Sequence, residues 1–222
     1  YPRSGTTKTR MIPAVGEAGA ADLHRAMAEH CLRNARSLMG IEIEVRYTGG
    51  TADETREWLG ADLRYADQGS GDLGLRMRRA FECAFAEGAT QVVVVGTDCP
   101  DLSPAVLQSA FDGLARPSLV LGPASDGGYY LIGLHSRAAR RALSAVFEGI
   151  AWSTEHVYSQ TVERAKRARL RLNRLVPLHD VDRPDDLRIW EQVGGGVERR
   201  PLYVIIKLLN EATTQPKTIA AA

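Results

Sequence analysis

Hydrophobic positions along the chain alternate between helix-like and strand-like spacing. Over residues 20–39, Leu23, Met27, Cys31, Leu32, Ala35 and Leu38 recur at three- and four-residue steps, the stripe of an amphipathic helix that Gly40 ends. Residues 41–47 then alternate, with Ile41, Ile43, Val45 and Tyr47 on one face and Glu42, Glu44 and Arg46 on the other, predicting a half-exposed strand that Gly49 and Gly50 stop. A short helix over 53–59, a weak strand over 63–66 and a strongly periodic helix over 73–86 follow, the last closed by Gly88. Val92, Val93, Val94 and Val95 are consecutive β-branched residues before Gly96, which predicts a central parallel strand covered on both faces. Ser103 as N-cap and Pro104 at the first helical position open a helix running to about Leu114. Strands over 118–121 and 129–134, and helices over 137–147 and 153–169, continue the series.

Strand and helix alternating in this way predict a single α/β domain over residues 1–192, with a mainly parallel mixed sheet flanked by helices. The run Gly194, Gly195, Gly196 predicts a flexible break, and residues 193–222 read as a C-terminal extension, apolar over 202–209 and then polar or alanine-rich. The chain opens on Tyr1 and Pro2 and goes straight into a Gly/Thr/Lys turn, with no apolar strand before it. The expectation is a sheet lacking its N-terminal strand, with two edges unpaired.

Composition narrows the function classes. With 222 residues, 44% of them apolar, the chain can bury a full core. Twenty-eight Lys plus Arg against 27 Asp plus Glu leave a formal charge of +1, so no global field draws it to nucleic acid or an anionic membrane. Three cysteines without a C-x-x-C pair argue against a disulfide framework and a zinc ribbon, and predict a reducing, cytoplasmic setting. No apolar run approaches the roughly 20 residues of a membrane span.

Candidate chemistry gathers in five stretches. Asp98 leaves the end of the buried valine strand, where open α/β sheets bind ligands, and a hard cation such as Mg²⁺ or Mn²⁺ needs only one or two such carboxylates beside phosphate and water. The structural alternative is that Asp98 and Asp101 cap the next helix. Gly69, Gly71 and Gly74 spell G-x-G-x-x-G, yet no buried strand precedes them, and Asp72 would put negative charge into a pyrophosphate cradle. Either Asp72 caps the following helix, or this is a functional loop in which Gln68 or Arg76 contacts a ligand. Arg3, Gly5, Lys8, Thr9 and Arg10 crowd one turn, suiting a di- or triphosphate or simply a solvated chain end. Asp126, Gly127 and Gly128 put an acid and a permissive backbone before a strand, as a ligand loop or a tight turn would require. Asp180 and Asp182 lie on one side of an extended segment, so one of them could reach a metal. The histidines read as structural, and no G-x-S-x-G supports a hydrolase.

Six stretches in this order, 1–10, 68–77, 96–102, 122–133, 152–154 and 180–182, resemble the bacterial DUF2064 family of glycosyltransferases, and more distantly the guanylyltransferase that activates 2-phospholactate. The resemblance implies a nucleotide-diphospho-sugar transferase fold of the glycosyltransferase-A type, with a strand-end aspartate on the metal that bridges the nucleotide phosphates. Asp98 matches that position, Lys8 and Arg10 the phosphate loop, Asp126 with Gly127 and Gly128 the sugar or acceptor loop, and Asp182 a second metal ligand. The residues after Gly194 match nothing in that family. The expected activity is Mg²⁺- or Mn²⁺-dependent transfer of a sugar from a nucleotide-sugar to a small acceptor, Asp126 orienting the sugar or acting as base. The alternatives are nucleotidyl transfer from an NTP to a phosphorylated acceptor and a non-catalytic nucleotide-binding remnant.

Overall fold

The computed structural model of the protein describes residues 1–193 and, beyond them, the backbone of 205–206, 208–210 and 215–219. The predicted glycine break at 194–196 lies outside the described residues. In chain order the elements are α1 (Ile12–Arg36), β1 (Glu42–Tyr47), α2 (Ala52–Leu59), β2 (Arg64–Asp67), α3 (Leu73–Ala86), β3 (Gln91–Val95), α4 (Pro104–Gly113), β4 (Leu119–Pro123), β5 (Tyr129–His135), α5 (Ser136–Phe147), α6 (Val157–Arg167), β6 (Leu172–Arg174), α7 (Leu187–Gln192), β7 (Ile205–Ile206), β8 (Leu208–Asn210) and β9 (Gln215–Ile219). Capping explains several boundaries. Thr51 and Glu54 form a reciprocal capping box at α2, Asp72 caps α3 through Leu75 N, and Ser103 caps α4 ahead of Pro104. α1 begins earlier than its stripe predicts, because a first turn from Ile12 joins it across Gly16, where φ is 72°.

The strands form a mixed α/β architecture with helices against the sheets. β6, β4, β5, β3 and β7 form one sheet, and β2, β1, β9 and β8 the other. β1–β2 and β4–β6 are parallel, but β5 lies between β3 and β4 and runs antiparallel to both. The short connection between β4 and β5 allows only a hairpin, since a parallel crossover needs a dozen or more residues. β3 is therefore central and fully buried as predicted, yet its described partners β5 and β7 are both antiparallel to it. β9 pairs in parallel with β1, so β1 and β3, where unpaired edges were expected, each carry a strand from the C-terminal segment.

The main core packs Phe81 and Met77 of α3, the β3 valines, Leu107 of α4 and Leu114 at its C-cap, and Leu131, Ile132 and Leu134 of β5. A second cluster gathers Met11, Leu23 and Met27 around Val181 and Trp190, clamping residues 181–190 onto α1. One expectation fails here: Glu44 and Arg46 are each 4% exposed, not solvated. Arg46 Nε donates to Glu44 Oε1 at 2.8 Å, so the mutual pairing lets a strand with both faces covered carry two charges. Among the described residues no helix is long and apolar enough to cross a membrane.

Breaking that pair should expose its cost. Arg46→Met removes the nearest cation from a buried carboxylate and is expected to cost about 3 kcal/mol in urea unfolding. Glu44→Met combined with Arg46→Met should recover most of the loss; a double variant as unstable as the single one would contradict the assignment.

Candidate functional site

β3 delivers Asp98 to one end of the sheet. Gly96 N donates to Tyr130 O at 2.9 Å, which aligns the start of β5 with the end of β3. α1 grips the loop that follows. His24 Nδ1 lies 3.8 Å from Asp98 Oδ1, His30 Nε2 lies 3.0 Å from Pro100 O, and Asn34 donates its amide to Leu102 O at 3.0 Å. From the other side, Val181 N donates to Asp98 O at 2.8 Å, and the buried Val181 side chain anchors Asp180 and Asp182 on either side of it.

Lys8 closes this arrangement. Its ammonium donates to Val181 O at 2.6 Å and pairs with Asp98 Oδ1 at 3.0 Å, with Asp182 Oδ1 at 3.9 Å. The Lys8 side chain is only 5% exposed, whereas that of Arg10, which pairs with the other Asp182 oxygen, is 67% exposed. Lys8 itself takes a left-handed backbone (φ 44°, ψ 51°), in a turn held by bonds from Thr6 N and Thr7 N to Arg3 O. Enclosure of the inner oxygen opposes ionisation of Asp98, but Lys8 and then His24 outweigh it and hold the carboxyl well below the usual carboxylate range. Half of the Asp98 side chain (47%) still faces the opening.

A second loop adjoins the first. Ser125 N donates to Leu178 O, and Ser125 Oγ donates to Asp180 Oδ1 at 2.9 Å. Asp126 spends one oxygen on Gly128 N at 2.8 Å, which fixes the turn, and its side chain stays exposed. Gly127 has φ 89°, and a Cβ there would come within 2.2 Å of Glu155 O. Tyr158 N donates to Gly127 O, so the start of α6 is stitched to the same turn. Burial, with Asp126 and Asp182 nearby, pushes the Asp180 carboxyl above its ordinary value despite the Ser125 bond.

The glycine-rich stretch after β2 forms a separate rim. Gln68 is buried and donates to Arg46 O, Arg76 donates to Gly71 O and Gln68 Oε1, and Arg79 donates to Gln68 O and Ser70 O. α3 thus holds the loop by its carbonyls, and Asp72 acts as the helix cap. A Cβ on Gly74 would lie 2.3 Å from the Trp152 ring, so this rim packs against the segment that carries Gly127's neighbour Glu155.

Of the residues singled out from sequence, Lys8, Arg10, Asp98 and Asp182 meet directly, and Asp126, Gly127 and Gly128 stand on the adjoining loop. Gln68, Gly71, Asp72 and Arg76 belong to the second rim. Arg3 turns instead to Gly49 O and Glu54, and Gly5 faces Glu17. Sequence reasoning missed His24, set aside as structural, along with the carbonyl of Val181 and Arg79. A histidine on the buried stripe of α1 was the available signal for the first.

Two outcomes follow from this geometry. A carboxyl raised in the folded state costs stability as pH climbs from the ordinary carboxylate value through the raised one. Asp180→Asn, which still accepts from Ser125, should therefore melt higher than the parent at pH 7, and the gain should vanish in thermal melts below about pH 4. Gly127→Ala combines a left-handed backbone with a collision against Glu155, and should cost at least about 2 kcal/mol in chemical denaturation.

Comparison with known proteins comes last. No curated protein matches this sequence. A crystal structure from Desulfovibrio desulfuricans G20, provisionally described as a nucleotide-diphospho-sugar transferase, is 32% identical, covers 87% of this chain and 92% of its own, and superposes with a TM-score of 0.77. A Bacillus anthracis structure in complex with sucrose, provisionally described as a glucose-1-phosphate thymidylyltransferase, is 14% identical over 89% of this chain and 91% of its own, with a TM-score of 0.49. The sequence profile of DUF2064, "Uncharacterized protein conserved in bacteria", matches residues 31–154, more than half of the chain. On that match, this chain belongs to the DUF2064 family.

Proposed function

We propose that the protein is a transferase acting on nucleotide-linked substrates, and specifically that it moves a sugar from a nucleotide-sugar to a small acceptor. The observation that carries this reading is the convergence of Asp98 and Asp182 on one cation, Lys8, at the end of β3. The likeness to the Desulfovibrio structure supports the same class. Fully ionised, Asp98, Asp126, Asp180 and Asp182 outnumber Lys8 and Arg10 by two charges, so a diphosphate entering alone would be repelled. A divalent cation removes that obstacle. Among the described residues no group of three or more His, Cys, Asp or Glu side chains could hold a metal by itself. Two carboxylates do suit Mg²⁺ or Mn²⁺, which complete their shells with phosphate oxygens and water.

Asp98 and Asp182 would hold the ion, which when bound supplies charge neutralisation to the leaving diphosphate. Arg10, exposed beside Asp182, would reach a phosphate oxygen, and Lys8 would add a second cation once free of its carboxylates. The Asp126 turn, fixed by its bond to Gly128 N, offers one carboxylate oxygen to orient the sugar or to take the acceptor's proton. The Gly69–Gly74 rim, held by Arg76 and Arg79, would border the nucleotide.

Panels of nucleotide-sugars and NTPs, incubated with Mn²⁺ or Mg²⁺ and cell extract as acceptor source, test the assignment through their phosphorus-containing products. Nucleoside diphosphate released from one nucleotide-sugar is the expected result, with Asp98→Asn slower by at least about 100-fold. Pyrophosphate from one NTP, with no nucleotide-sugar turned over, would assign nucleotidyl transfer instead. Tight nucleotide binding with no turnover would assign a binding protein.

A further inference from the structure

Lys8 stands where the proposed function requires a metal. We infer that the Lys8 ammonium is a built-in occupant of the cation position between Asp98 and Asp182, which a divalent ion enters by displacing it; this rests on the metal-dependent reading above. An ammonium has three N–H donors and no acceptor. Lys8 donates one to Val181 O at 2.6 Å, and its charge pairs with Asp98 Oδ1 at 3.0 Å and, at the longer range of 3.9 Å, with Asp182 Oδ1. With 5% of its side chain exposed, it is spent internally, in contrast to Arg10 two residues on.

Charge decides the competition. A single positive charge answers only one of the two carboxylates, whereas a divalent ion answers both and repels an ammonium left a few ångströms away. The two cations therefore exclude one another. The released ammonium then stands beside Arg10, where a diphosphate drawn in by the metal would meet two cations. Lys8 thus keeps the carboxylates paired until a divalent ion arrives, and is then available to the diphosphate that follows.

The first arm of the test is calorimetric titration with Mn²⁺ of the full chain, Lys8→Met, Asp98→Asn and the double variant. Removing a like charge from the site should tighten Mn²⁺ binding by Lys8→Met about tenfold, and Asp98→Asn should abolish binding alone and in the double variant. If Lys8→Met binds Mn²⁺ no tighter than the parent while Asp98→Asn still abolishes it, Lys8 is a support for Asp98, and the inference falls while the metal reading stands. Mn²⁺ binding that Asp98→Asn leaves unchanged removes both. The second arm needs no variant, so it decides the matter even if Lys8→Met fails to fold. Reductive methylation of the parent, followed by peptide mass spectrometry, should label Lys8 far more slowly than the exposed Lys166, and Mg²⁺ should accelerate Lys8 severalfold with Lys166 unchanged. Lys8 labelling that does not respond to Mg²⁺ overturns the inference.

Discussion

Three segments distant in the chain meet on one ammonium group. Lys8 belongs to the opening turn, Asp98 to the loop after β3, and Val181 and Asp182 to the segment that leads into α7. Without that charge, two carboxylates would face each other at the mouth of the site, and their repulsion would push the segments apart. The contact is short because its geometry is imposed from outside. Met11 anchors the turn that carries Lys8, and Val181 and Trp190 bury the far segment in the same apolar cluster. Hydrophobic packing places the charges, and the charges then fix the mouth of the site.

α1 performs a comparable task along its length. One face lies in the core through Cys31, Leu32 and Ala35, while His24, His30 and Asn34 reach the backbone and side chains of the Asp98–Leu102 loop. A loop tied at three points to a rigid helix keeps its carboxylate aimed, which a binding group on a free loop cannot do. The second rim uses the same device with different chemistry, since Arg76 and Arg79 on α3 hold the carbonyls of the glycine-rich stretch. Trp152, against Gly74, links that rim to the Gly127 turn.

The mouth is unusual in carrying more carboxylates than cations. In a site meant for free phosphate this would be a defect, because desolvated like charges repel strongly. For a site that admits phosphate together with a divalent ion, the excess negative charge is an advantage. The separate treatment of the acids fits that reading: Asp98 is held ionised by Lys8 and His24, whereas burial and its acidic neighbours push Asp180 the other way. Neighbouring carboxylates pushed apart in this way can serve different roles.

Periodicity alone determined most of the elements. Apolar spacing located α1, α3 and the buried β3, and local capping chemistry at Asp72 and Ser103 set two helix starts, because these signals lie within a few residues of one another. The strand-end position of Asp98 and the character of the Lys8–Arg10 turn were legible for the same reason. Strand direction was not. Whether β5 runs with or against β3 depends on which strand it lies beside, and β6 is too short to announce itself. The burial of Glu44 and Arg46 was hidden as well, since alternation reports which residues share a face but not whether a second layer covers it. Above all, sequence could place Lys8, Asp98 and Asp182 on a list of candidate ligands, but only the tertiary structure brought both carboxylates onto the same ammonium, because contacts such as that of Lys8 with Val181, across more than 170 residues, are set by the packing of the core between them.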